Sequence, residues 1–127
     1  MSSLISDVKK YIASLDSYAT VKIDMLSDDP ESICVRQDPS TLVTQRMMDG
    51  SRTGELIFAI YCKSLNPQTA IEQLEFYISM LDLNWMTLTS KTQIKLEPAT
   101  SPQLVSKSEQ NEYIYVSDFK LEYTQEV

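Results

Sequence analysis

Apolar residues in this chain recur at helical spacing, alternate, or run together, and each pattern marks a different element. Residues 3–15 place Ile5, Val8, Ile12 and Leu15 on one helical stripe. Ser2 or Ser3 is available to cap the first turn, and Asp7 suits the positive end of the helix dipole. Val21 to Met25 alternates, which predicts a strand with Val21, Ile23 and Met25 inward. Ser27 to Glu31 reads as a turn, and Ser32 to Gln37 as the next strand. Asp38-Pro39-Ser40 then breaks or bends that strand, because proline cannot donate to a ladder. Thr41 to Met48 extends again and pairs with Ser51 to Phe58 across Asp49-Gly50, a dipeptide suited to the positive φ angles of a type I′ turn.

The run Glu55 to Lys63 is apolar on both parities. Leu56, Phe58, Ile60 and Cys62 point one way and Ile57, Ala59 and Tyr61 the other, which predicts a central strand covered on both sides. Asn66 suits an N-cap and Pro67 the first helical position, where a missing N–H costs nothing. The helix that follows carries Ile71, Leu74, Ile78 and Leu81 as its stripe. Asn84 to Thr89 fits either a short strand or an ordered loop, with Trp85 most simply in the core.

Thr92 to Glu97 predicts a strand with Ile94 and Leu96 inward. Residues 98–112 are polar and contain Pro98 and Pro102. They read as a long loop anchored by Leu104 and Val105, and loops of that length are often functional. Tyr113 to Gln125 is the last strand. Ile114 and Val116 set one parity there, and Phe119, Leu121 and Tyr123 the other, so a bulge or sharp twist near Ser117-Asp118 is expected. Asp118, Lys120 and Glu122 form its outward face. No internal repeat is visible. The pattern as a whole is one α+β domain over residues 1–127, a mainly antiparallel sheet of about four to six strands with two helices packed on it and a long β-hairpin arm. A two-stranded arm is marginal alone, so its outer half needs support. Leu42, Val43, Met47 and Met48 give it much apolar surface, either folded back on the core or offered to a partner.

Composition narrows the function classes. A chain of 127 residues is long enough to bury roughly two-thirds of its unfolded surface without a metal or disulfide. Its only glycines are Gly50 and Gly54, which excludes glycine-rich phosphate cradles. No run approaches transmembrane length and Met1 to Asp7 lacks a basic segment followed by an apolar one, so the expectation is synthesis in the cytosol. Cys34 and Cys62 sit in apolar, strand-like surroundings and read as buried free thiols. Net charge is −7, which opposes nucleic-acid binding through the general surface. All three arginines, Arg36, Arg46 and Arg52, nevertheless fall between positions 36 and 52, as solvated strand charges or as a patch.

There is no histidine, which removes Ser-His-Asp and Cys-His machinery and the usual zinc sites. Asp28, Asp29 and Glu31 cluster, but they flank a proline in a turn and lack the alternating ligands and glycine of a calcium loop. Lys63 and Ser64 are adjacent on a strand and so point to opposite faces. The expectation is a protein that is not an enzyme and uses no cofactor or metal.

The order and spacing of several segments resembles a family of bacteriophage minor capsid and tail-completion proteins. The resemblance rests on Met48-Asp49-Gly50-Ser51-Arg52, on Phe58 to Ser64, and on Gln68-Thr69-Ala70-Ile71-Glu72 opening the helix. Ser32 to Gln37 upstream, and Pro102-Gln103-Leu104-Val105 with Glu112 to Tyr123 downstream, extend it over most of the chain from about Ser32. The resemblance implies a structural role at the head–tail junction of a long-tailed phage, as a tail terminator. Such α+β subunits close into a ring, a hexamer by the resemblance, that caps the tail tube and meets the head connector. It implies partners: other copies of the chain, the tail tube protein and the connector protein. Neither a membrane nor a sequence-specific nucleic acid is implied, although DNA passes through such a ring, and an acidic lumen would not retain it. Candidate contact residues are then Leu42, Val43, Arg46, Met47, Met48, Asp49 and Arg52 on the arm, with Leu104 and Val105 in the loop. The competing readings are a non-catalytic adaptor or connector component binding a protein through its sheet edge or hairpin, and an enzyme using carboxylates alone.

Overall fold

Two strands of 13 residues each, rich in β-branched and aromatic side chains, form the spine of the fold. The computed structural model describes residues 4–15, 17–23, 25–26, 31–37, 42–46, 52–83, 92–108 and 111–125. In chain order the elements are α1 (Leu4–Ser14), β1 (Val21–Ile23), β2 (Ser32–Gln37), β3 (Leu42–Arg46), β4 (Arg52–Ser64), α2 (Pro67–Leu83), β5 (Thr92–Pro98), β6 (Gln103–Lys107) and β7 (Tyr113–Gln125). The class is α+β. The described strands form one seven-stranded sheet, antiparallel except where β1 runs parallel to β2.

The spine strands β4 and β7 pair without a slip from Arg52↔Gln125 to Ser64↔Tyr113. Two shorter strands lie end to end along each outer edge of this pair. On β4, β2 pairs with Phe58–Lys63 and β3 with Arg52–Glu55. On β7, β5 pairs with Phe119–Thr124 and β6 with Tyr113–Val116. Apart from β1, each half of the chain is therefore a helix, a broken strand and an unbroken one, and the centre of the sheet is the stacked pair Phe58–Phe119, with ring centroids 5.4 Å apart. At the break in the second half, the Ala99 N–H donates to the Asp118 carbonyl (2.8 Å) and the Asp118 N–H to Thr100 Oγ1 (2.9 Å).

Both helices pack on one face of the sheet, α1 over β1 and β2, and α2 over β4, β7 and β5. That face holds the core: Leu56, Phe58, Ile60 and Cys62 of β4, Phe119, Leu121 and Tyr123 of β7, and Ile33 and Val35 of β2, closed by Val8 and Ile12 of α1. Asn66 caps α2 as its position predicts, its Oδ1 accepting the Gln68 N–H at 3.0 Å. The buried stripe of α2 is Ala70, Leu74, Tyr77 and Leu81: Leu74 and Leu81 lie where expected, and Ala70 and Tyr77 take the places expected of Ile71 and Ile78. Ile71 and Ile78 are half-buried at its margin. Tyr77 reaches the core because its hydroxyl is hydrogen-bonded to the Ser17 hydroxyl.

Four further expectations change. No bulge divides β7 against β4: Ile114 and Val116 belong to the face away from the helices, and Ser117 and Tyr115 to the core face, because the register is continuous. Residues 98–112 are not one loop, since β6 lies within them. Leu104 and Val105 anchor nothing and are more than half exposed. Met25 is 72% exposed rather than inward, because β1 ends at Ile23. The hairpin formed by β3 and β4 is not a two-stranded arm through its described residues, because β7 backs β4 as far as Arg52.

Candidate interaction surface

The outward face of the sheet carries no helix among the described residues, and its sequence is unusually apolar for a solvated face. Ile57, Ala59 and Tyr61 of β4 stand beside Ile114 and Val116 of β7, and beside Cys34 and Arg36 of β2. The two-sided apolar run in β4 thus has a second face that is half-covered rather than packed under helices. A trough of about 210 Å³ crosses it, floored by Cys34, Tyr61 and Ile114, with Leu26 at one rim, Val105 at the other and exposed Arg36 beside it. Further along β7 the face turns polar, and Lys120 Nζ lies 3.6 Å from Glu122 Oε1.

One wall of the trough belongs to β6, an edge strand exposed along its whole length. Its pairing with β7 shifts between Leu104 and Ser106, so Val105 is the extra residue and turns toward the trough. The turn that joins β6 to β7 is held by Ser108, whose N–H donates to the Glu112 carbonyl (2.9 Å) while its Oγ accepts the Glu112 N–H (3.2 Å). Asn111 takes a left-handed φ of 62°, a conformation that asparagine tolerates. Lys107 Nζ sits 5.3 Å from the centroid of the Tyr113 ring. No Asn-Gly or Asp-Gly pair announces this hairpin, and Asn111 was the one residue that could have signalled it.

Of the candidate contact residues, Leu42, Val43 and Arg46 lie on β3 and Arg52 opens β4, with Arg46 and Arg52 directly opposed in the ladder. Met47, Met48 and Asp49, with the Asp49-Gly50 turn, lie outside the described residues, as do Asp28, Asp29 and Trp85. The described hairpin positions and the β6 positions do not meet. The first pair with the Arg52–Glu55 end of β4, and the second lie across β7 from its Tyr61–Ser64 end. Arg36 is separate from the other arginines, on β2 opposite Ala59.

Under the helices lies a small polar cluster. The Tyr18 hydroxyl donates to the Lys63 carbonyl (2.8 Å), and the Tyr18 N–H donates to Gln73 Oε1 (3.2 Å), tying the segment after α1 to β4 and α2. Burial pushes the Tyr18 hydroxyl and the Cys62 thiol well above their usual ranges, and pushes Tyr77 up to about 12. All three stay protonated near neutral pH, so Cys62 is not a thiolate nucleophile there. Both cysteines are buried free thiols, as the sequence indicated. No group of three or more potential metal ligands is found among the described residues.

No family model matches this chain, and no curated protein does. A solved structure does. A chain of the virion of a native gene transfer agent particle superimposes with a TM-score of 0.63, over 91% of this chain and 91% of that one, at 10% sequence identity. The two chains share a fold.

Proposed function

We propose that this chain is a structural protein of a phage-like virion, acting at the head–tail junction as a tail terminator whose copies form a ring on the end of the tail tube. One observation carries the reading: its fold matches a chain of a gene transfer agent virion along nearly the whole of both chains. The order of segments that resembles tail-completion proteins points the same way. On this reading the chain performs no catalysis, binds other copies of itself, the tube protein and the connector, and resides in the virion after assembly in the host cytoplasm. Its contacts are the hairpin positions Leu42, Val43, Arg46 and Arg52 with the tip residues, and Leu104 and Val105 on β6.

Purified protein mixed with tail tubes and imaged by negative stain tests this. Capped tube ends with a ring-shaped density support the terminator role. A chain that stays monomeric at high concentration and leaves tube ends bare refutes it. The exposed β6 edge favours a second reading, an adaptor that takes a peptide strand from another protein. Bare tube ends together with capture of a virion protein other than the tube would select it.

A further inference from the structure

We propose that β6 of one copy pairs with β1 of a second copy, antiparallel, so that the sheet continues from subunit to subunit; the inference rests on the self-assembly in the reading above. The argument starts from register. Val21 pairs with Ile33, Ile33 with Cys62, Cys62 with Tyr115, and Tyr115 with Leu104. At this one level the sheet reads β1-β2-β4-β7-β6, and among the described residues β1 pairs only with β2 and β6 only with β7. The two free edges therefore lie in line on opposite sides of the molecule. Each presents backbone N–H and C=O groups that another strand can satisfy.

Direction follows from the same ladder. β1 and β2 run together, β4 runs against them, β7 against β4, and β6 against β7, so β6 and β1 point in opposite senses. A second copy set beside the first in the same orientation then meets β6 with an antiparallel β1, the ladder with perpendicular hydrogen bonds. The apolar surface agrees. Among the described residues the exposed large apolar side chains are Met25, Leu65, Leu104 and Val105. Two of these four, Leu104 and Val105, lie within β6. A strand added to this edge would lie against both. The partner is thus a second copy of this chain, and the contact is head-to-tail, the kind that closes into rings. The shift at Val105 and the terminal Lys107 restrict this edge to a short partner, and β1 is three residues long.

The test uses the full chain and two single substitutions at exposed edge positions that the register sets opposite each other, Lys22→Cys and Gln103→Cys. The native Cys34 and Cys62 are buried and give a quiet background. Mild oxidation of an equal mixture should yield a disulfide-linked dimer containing one of each variant, with neither variant cross-linking alone. Leu104→Lys combined with Val105→Lys should weaken self-association at least tenfold by sedimentation velocity and leave the melting temperature of the subunit unchanged. Cross-linking by Gln103→Cys alone would mean that β6 pairs with β6 and would overturn the proposal. Oligomers that persist in the lysine variant, with no cross-link in the mixture, would place the contact elsewhere while leaving the ring intact. A wild-type chain that stays monomeric throughout overturns the edge pairing, and tube binding alone then decides the virion reading.

Discussion

Gly54 stands where the β3–β4 hairpin joins the body of the sheet, opposite Val43 on one side and Tyr123 on the other. Its backbone is one that any residue can adopt; what the position lacks is room. A Cβ built there would sit 2.5 Å from the Tyr123 hydroxyl oxygen and 2.6 Å from Cζ, about 1 Å inside ordinary contact. The Tyr123 ring is buried against the core and has little space to swing away. Overpacking of this kind typically costs about 1–3 kcal/mol. Against it stands the usual gain of about 0.5–1 kcal/mol when an unfolded chain loses glycine's freedom. Gly54→Ala should therefore destabilise by roughly 0.5–2 kcal/mol. In a Tyr123→Leu background, which lacks the offending atoms, the same change should be neutral or mildly stabilising. Urea unfolding of the four proteins gives a coupling energy, expected near 1–3 kcal/mol. If Gly54→Ala stabilises the wild type, or costs the same in both backgrounds, the close approach of Tyr123 is not what keeps glycine at this position.

Asn66→Ala removes the acceptor of the Gln68 N–H and should cost about 1 kcal/mol of stability, read as a lower urea midpoint at unchanged slope. Ser117 is fully buried between Tyr115 and Phe119 on the core face, and its Oγ has no hydrogen-bond partner among the described residues. Ser117→Ala should raise stability by about 1 kcal/mol, and a loss of that size would mean the hydroxyl is satisfied. Tyr77 titrates near 12 when folded against 10 when unfolded. The folded state holds its proton more tightly, so its contribution is complete below pH 10 and declines as pH rises toward 12. Tyr18 and Cys62 are raised by burial in the same sense, so urea midpoints should fall steadily above about pH 9. Tyr77→Phe should flatten that decline.

Legibility in the sequence followed how local each cause was. Asn66-Pro67 starts α2 by chemistry confined to one turn, and the β-branched run of β4 declares a buried strand wherever it is placed. The phase of α2 depended on Tyr77, whose burial needs the Ser17 hydroxyl 60 residues away. Strand β6 offers only Leu104 and Val105 as apolar residues, and it is a strand because β7 supplies a ladder beside it. The supposed bulge in β7 came from assuming that only one face could be apolar. Ile114 and Val116 are apolar on the other face, against Tyr61. On the surface, the sequence reading gave Leu104 and Val105 the wrong setting, an anchored loop in place of an open edge.

The repeated half-topology explains why the proposed contact positions fall at opposite ends of this molecule. Each half ends in a hairpin whose long strand pairs with the other, antiparallel, over 13 residues, so the two hairpins must point in opposite directions. A strand of that length spans about 43 Å, which separates the Arg46↔Arg52 rungs from the Lys107↔Tyr113 rungs by most of the long dimension of the sheet. Cations mark both ends of a chain whose net charge is −7. In the proposed assembly, a subunit joined to its neighbours through β1 and β6 would leave both hairpin ends along the axis, which suits an object between a tube and a connector: lateral edges for its own copies, and two dissimilar ends for two different partners.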